Sequence, residues 1–505
     1  MISLSPEGIA LIVIIIYWAL IEALKNRGIL ERYGLNAYGP LLIVRTKKGL
    51  GFLEKISRPK RFWRFFATSG IPAVFAGMAF MFALVILMDI VMIKSPPPPS
   101  PVTSPRNALL IPWVNTLFPP VYLLIGLVVT LVVHEFSHAI LCRVEGVKVK
   151  SLGLLLLIAP VGGFAEPDEE ELEKKATRAQ KIRIFSAGVI SNFALASIAF
   201  AIFILLLNFL SPVVFVAYSY NPRIHQGEII YSINGVNVST PSDVTEALLK
   251  TPFGGKLKLT TDSGEYELPA IYGVKIVGLY KNYPAEKAGL KVGMIIYEVN
   301  NTVTPTLESF EKVMSKTKPG EVLTLHVYWN GSTEVFRIKL AKSPYSNSGF
   351  LGVEVYEYIS GLELGYSSIL LNQLKSLPYN LWNIRGWLYF VAMPLMGFKG
   401  FIGQTEKYFK PKVLGKELFV ILTSLYWIGW VNFYVGLFNC LPAIPLDGGR
   451  VFYEVLAAFL ERLGIKSGDR IASSVVKYLA YLIFASLIMS IVIPNVSGYL
   501  RWLRL

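Results

Sequence analysis

At 505 residues the chain exceeds one ordinary domain, and 53% of it is hydrophobic against 16% charged, a balance that points away from a soluble protein and toward the membrane. The formal charge of +15 does not argue for nucleic acid, because the basic residues gather between apolar stretches, as they do on the cytoplasmic flanks of membrane helices. The two cysteines, Cys142 and Cys440, fall in or beside apolar stretches, which excludes a disulfide framework and a cysteine-rich zinc fold.

The first apolar run, residues 8–24, has no basic flank before it and no small-residue cleavage site after it, so it reads as a retained helix. Five further runs approach the roughly 20 apolar residues that cross a bilayer: residues 70–93, 121–142, 184–210, 418–441 and 471–493. The loop over residues 25–64 holds eleven Lys and Arg and very few acids, which assigns it to the cytoplasm. The second span then runs outward and the third inward, with a Pro-rich linker, residues 96–101, between them. The acidic run Asp168-Glu169-Glu170-Glu171 reads as a solvated face.

Beyond the fourth span, residues 211–360 are polar and contain a repeat. Gly227-Glu-Ile-Ile-Tyr-Ser-Ile-Asn234 returns as Gly293-Met-Ile-Ile-Tyr-Glu-Val-Asn300. Each copy reads as a short strand, a turn, an amphipathic helix and an alternating strand pair, hence two small α+β modules. The stretch Asn282-Tyr-Pro-Ala-Glu-Lys-Ala-Gly-Leu-Lys-Val-Gly293 resembles the PDZ domains attached to membrane and envelope proteases. That resemblance implies a module that binds an extended peptide at a sheet edge; the first copy lacks the Pro-Ala-x-x-Ala-Gly element. Modules that only pack against the membrane core are the alternative. Residues 362–402 mix Leu, Trp and Tyr with Lys375, Arg385, Lys399 and several prolines and glycines, and read as an interfacial or re-entrant element.

The chemistry centres on His134-Glu135-Phe136-Ser137-His138. Residues four apart share a helix face, so His134 and His138 can meet one metal while Glu135 reaches water on it, the H-E-x-x-H arrangement of zinc peptidases. Within an apolar span such groups are costly and mark function. A catalytic zinc needs a third protein ligand and one open position. His225 and His326 lie in the repeat region and read as ordinary module residues. The best carboxylate is Asp447, in Asn439-Cys-Leu-Pro-Ala-Ile-Pro-Leu-Asp-Gly-Gly449, where prolines end a helix and glycines let the backbone bend. Asp447 has a second reading as a simple cap of the following helix.

Together, a membrane H-E-x-x-H and N-x-x-P-x-x-P-L-D-G-G resemble the site-2 protease family, intramembrane metalloproteases that cut transmembrane or membrane-proximal segments. Gly162-Gly163-Phe164-Ala-Glu-Pro-Asp-Glu169, Ala187-Gly188-Val-Ile-Ser-Asn192 and the inserted repeat pair add to the similarity. The resemblance implies a polytopic α-helical membrane protein with an inserted extracytoplasmic α+β, tandem PDZ-like region. It implies zinc on His134, His138 and Asp447, Glu135 as general base, and Asn439 as a substrate-positioning or oxyanion-contacting residue. Residues 1–120 then form an N-terminal membrane region, 121–210 and 417–505 the two halves of the catalytic core, 211–360 the modules and 361–416 the interfacial segment. The expected reaction is peptide hydrolysis by zinc-activated water. The expected partners are a transmembrane protein substrate, pre-trimmed by another protease, a peptide ligand at the PDZ-like module and the lipid bilayer, with no nucleic acid.

His134 lies about 20 Å into its span, toward the cytoplasmic side of the cell membrane, with the modules outside. For Asp447 to reach that depth, the span over residues 418–441 must also run inward, so residues 362–402 cannot form one complete crossing. Residues 147–164 read either as a hairpin whose edge strand holds an extended substrate or as plain membrane-facing surface. Two other classes compete: a metal-ion transporter using the same four residues, and a silent scaffold for the modules.

Overall fold

A computed structural model describes residues 6–503 except 34, 47, 48, 109, 158 and 345. The chain divides into two compact units, one of Met1–Leu205, Val391–Gly400 and Val420–Leu505, the other of Leu206–Phe390 and Phe401–Phe419.

In the first unit the apolar runs become helices. Among the described residues, five are long and apolar enough to cross a membrane: Lys60–Lys94, Pro120–Glu145, Arg178–Phe209, Glu417–Asn439 and Gly468–Ser497. A further helix, Pro6–Asn26, takes the first apolar run. The Pro120–Glu145 helix begins with proline in its first turn and ends at Gly146 with φ 89°, the asymmetry expected of a sharply bounded helix. There the Val147 N–H returns to the Cys142 carbonyl, satisfying one of the last-turn acceptors. This helix packs closely on Glu417–Asn439 at Gly126, where a Cβ would lie 3.0 Å from the Trp427 carbonyl oxygen; small residues permit such approach between membrane helices. Short non-helical backbone at residues 398–399 is also tied down: its carbonyls accept from the Tyr426 hydroxyl and the Trp427 indole N–H.

The same unit contains a four-stranded antiparallel sheet in the order β1 (Leu35–Tyr38), β2 (Leu41–Thr46), β3 (Val149–Leu157) and β4 (Ala159–Pro167). Residues 147–164 therefore do form a hairpin, and β4 is a sheet edge. The hairpin is joined to β1 and β2 through the two inner strands: Leu42 pairs with Leu156 and Val44 with Leu154. The basic loop over residues 25–64 thus supplies half of this sheet.

The second unit is built on a twelve-stranded sheet. Its two halves repeat one another. Val214–Ser219, Ile229–Ile233, Lys256–Thr261 and Glu265–Pro269 form the first half; Tyr272–Leu279, Ile295–Val299, Val322–Trp329 and Ser332–Lys339 form the second. Each half has its own apolar core, around Val244 and Leu248 in one and Phe310 and Leu325 in the other. The repeated Gly and Asn are turn residues: Gly227 and Gly293 have φ 90° and 95°, Asn234 and Asn300 φ 48° and 47°. Both asparagines also accept a backbone N–H from the neighbouring strand, of Lys258 at 2.7 Å and Thr324 at 2.8 Å. Their helices, Pro241–Leu249 and Leu307–Met314, open on matching Thr capping boxes at Thr240 and Thr306, which satisfy N-terminal amides. The hairpin Val353–Ile359 and Leu362–Tyr366 joins the halves, one strand to each. The sheet region therefore extends past the expected boundary at residue 360. The rest of the 362–402 stretch is broken into Ser367–Asn380, Ile384–Ala392 and a short turn of 3-10 helix, Met393–Met396, with no single helix of spanning length among its described residues.

Candidate metal centre

His134 and His138 lie one turn apart on the Pro120–Glu145 helix, with their Nε2 atoms 3.2 Å from each other. The Oδ2 of Asp447 stands 3.1 Å from each Nε2. Two donors held about 2.0–2.1 Å from a tetrahedral zinc are about 3.3 Å apart, so the three atoms have the spacing of zinc ligands. Two imidazoles and one carboxylate also leave the fourth position open. The donor set and its geometry fit the metal.

Asp447 reaches this place because the backbone before it folds tightly on itself. A Cβ on Gly448 would sit 2.2 Å from the Cys440 carbonyl oxygen, and one on Gly449 2.4 Å from the Ala443 carbonyl carbon. Only glycine fits at either position. Asp447 opens the Asp447–Arg462 helix, whose N-cap is Leu446 and which has no side-chain cap. Its carboxylate faces the histidines, so the simple capping role is not the one the fold uses.

The third helix of the site is Arg178–Leu206. The Ile184 carbonyl lies 2.8 Å from His138 Nδ1. A carbonyl only accepts, so Nδ1 carries the proton and the Nε2 lone pair is free for the metal. Asn192, wholly buried, has its amide nitrogen 3.1 Å from His134 Nδ1. Between them, a Cβ on Gly188 would lie 2.5 Å from both His134 Cε1 and His138 Nε2.

The Glu135 carboxylate accepts the Ala165 N–H of β4 at 3.2 Å. The edge strand is thereby fastened beside the site. A cleft of about 770 Å³ runs along it, lined by Phe164, Ala165 and Glu166 on one side and Ile444, Arg450 and Tyr453 on the other. Asn439 ends the Glu417–Asn439 helix with its amide on the Val435 carbonyl, 3.1 Å away, and is not brought into the His-His-Asp group. His225 and His326 pair with Glu228 and Glu298 within the sheet unit.

Ile184, Gly188 and Asn192 are supports that residue type alone does not reveal. The signal in the sequence is the spacing of four between Gly188 and Asn192, with an Asn inside an apolar span. A backbone carbonyl as partner has no signature in sequence.

Apolar spanning helices around a His-His-Asp group define a multi-pass membrane protein of the metallopeptidase class. The chain belongs to Peptidase family M50, the site-2 protease family, whose model matches residues 122–484, and zinc is the metal of that family. It is also similar to an uncharacterized protein of Methanocaldococcus jannaschii, 29% identical over 312 residues that make up 59% of this chain and 76% of that one. A protein of Fusobacterium nucleatum named provisionally as a zinc metalloprotease is 27% identical over 211 residues, 40% of this chain and 56% of that relative.

Proposed function

We propose that this protein hydrolyses peptide bonds in or beside transmembrane segments of membrane-protein substrates, with His134, His138 and Asp447 as zinc ligands and Glu135 as general base. The observation that carries this reading is the meeting of three ligand atoms at 3.1–3.2 Å beside a sheet edge fastened to Glu135. Zinc supplies Lewis acidity, lowering the pKa of water and polarising a carbonyl. Glu135 takes the proton of the attacking water and passes it to the leaving amine. The β4 edge pairs with an unwound substrate, offering main-chain groups that a helical substrate would lack. Asn439, at the end of its helix, contacts the substrate once it is bound.

The active site faces the cytoplasmic side and the sheet unit lies outside, as the basic loop and the depth of His134 argue. The repeated modules act as PDZ-like domains that bind a peptide end and favour substrates already trimmed by another protease. The carboxylate-to-amide change Glu135→Gln tests the mechanism. Cleavage of a single-span substrate in proteoliposomes should fall at least about 100-fold while bound zinc stays at the wild-type level. Wild-type turnover by that variant would sink the assignment of the base; metal flux without cleavage would favour a transporter.

A further inference from the structure

Zinc-binding imidazoles need their second nitrogen protonated and given an acceptor, because this fixes the tautomer and the ring's angle. For His138 the acceptor is the Ile184 carbonyl, 2.8 Å from Nδ1. His134 Nδ1 instead faces the amide nitrogen of Asn192 at 3.1 Å. If His134 binds through Nε2, Nδ1–H meets N–H, and two donors oppose each other. The other end of the same amide, Asn192 Oδ1, is buried with no hydrogen-bond partner among the described residues. A buried acceptor left unpaired forfeits the hydration it had in the unfolded chain. The two ends of an amide are nearly equal in size, and which is which follows from the hydrogen bonds. A half-turn of this amide ends the opposition of donors and gives Oδ1 the His134 proton to accept.

We infer that Asn192 is a positioning residue of the metal site, its Oδ1 accepting the Nδ1 proton of His134 and so holding the Nε2 lone pair on the metal. The inference rests on the reading of His134 as a ligand. One helix thereby serves both rings, since Ile184, Gly188 and Asn192 recur every four residues and share a face. A carbonyl serves one histidine, a side-chain amide serves the other, and the missing Cβ between them lets the backbone come close enough for both. Asn192 has 0% exposure, so water does not compete for the proton.

Two near-isosteric variants of the full-length protein in detergent test this by zinc affinity, measured by chelator competition. Asn192→Asp keeps an acceptor oxygen and should stay within a few-fold of wild type. Asn192→Leu keeps the volume without an acceptor and should bind zinc about 10–100-fold more weakly. An unchanged Leu variant, or an Asp variant as weak as Leu, would overturn the role. Should either variant fail to fold, the wild-type protein decides: with ¹⁵N-histidine label and zinc bound, His134 should show a protonated Nδ1 and a metal-bound Nε2. A metal-bound or unprotonated Nδ1 would overturn it. If wild-type zinc affinity is indifferent to His134→Ala, the ligand reading itself fails and takes this inference with it; a normal response to His134→Ala beside an indifferent Asn192→Leu sinks the Asn192 role alone.

Discussion

A single hydrogen atom's worth of space governs the centre at Gly188. A methyl group there would stand 2.5 Å from both His134 Cε1 and His138 Nε2, with the helix backbone behind it unable to retreat far in a packed interior. Gly188→Ala should therefore weaken zinc binding about tenfold or more, read by chelator competition, with the protein still monodisperse. Retained affinity would mean that the histidines have room the packing denies them. At this scale the three donors that come together were legible and their supports were not. His134 and His138 are spaced by a helix turn, and Asp447 is framed by prolines and glycines, so residue type and interval were enough. Gly188 and Asn192 act through distance to another helix, which no interval along the chain encodes.

The β4 strand shows how one element joins scaffold to chemistry. Its Ala165 N–H goes to Glu135. Ala165→Pro removes that donor. Peptide cleavage should drop about 10-fold or more with zinc content unchanged; loss of both would show that the strand is needed to build the metal site. In the sheet unit, burial raises the Glu357 carboxyl from its ordinary 4.5 to about 7, against the opposing pull of the Tyr366 hydroxyl and the Leu307 N–H. The folded state thus holds this proton more tightly than the unfolded one. The stability it contributes is full below pH 4.5 and is lost as pH rises through 7, a change of about 3 kcal/mol. Hydrogen exchange in the Leu307–Met314 helix, corrected for intrinsic pH dependence, should speed up over that window in the wild type and stay flat in Glu357→Gln. The hairpin could be read from Leu-rich sequence ending in Gly162-Gly163, yet its partners β1 and β2 could not. They come from a stretch whose charge marks topology, and their tie to the hairpin is a ladder of main-chain hydrogen bonds that side chains do not announce.

Across the membrane unit, charge binds helices that sequence keeps far apart. Arg178, at the start of the helix that supports the histidines, reaches Glu454 at 3.0 Å, Glu461 at 2.5 Å and Asp469 at 2.9 Å. Glu454 is 3% exposed and also faces Lys181 at 3.5 Å. Removing the arginine leaves this buried carboxylate with Lys181 as its remaining basic partner, a weaker compensation. Arg178→Gln should lower the thermal midpoint in detergent and loosen zinc retention on heating, since Glu454 shares a helix with Asp447. An unchanged midpoint would show that Lys181 alone suffices. The positions of the five helices that are long and apolar enough to cross a membrane among the described residues were readable, because an apolar run of that length has one solution in a bilayer. The charge cluster was not, because 276 residues separate Arg178 from Glu454.

The edge strand also sets a demand on length. Its nine residues, Ala159–Pro167, extend over about 30 Å, whereas nine residues of helix occupy about 14 Å. Nine helical residues drawn out along the whole edge therefore lengthen by about 16 Å, and the chain on either side must move apart by that much. On the function proposed above, a substrate moored by a folded domain at each end resists that separation. One released at an end does not, so removal of an ectodomain would ease cleavage mechanically, whether or not any peptide end is recognised outside.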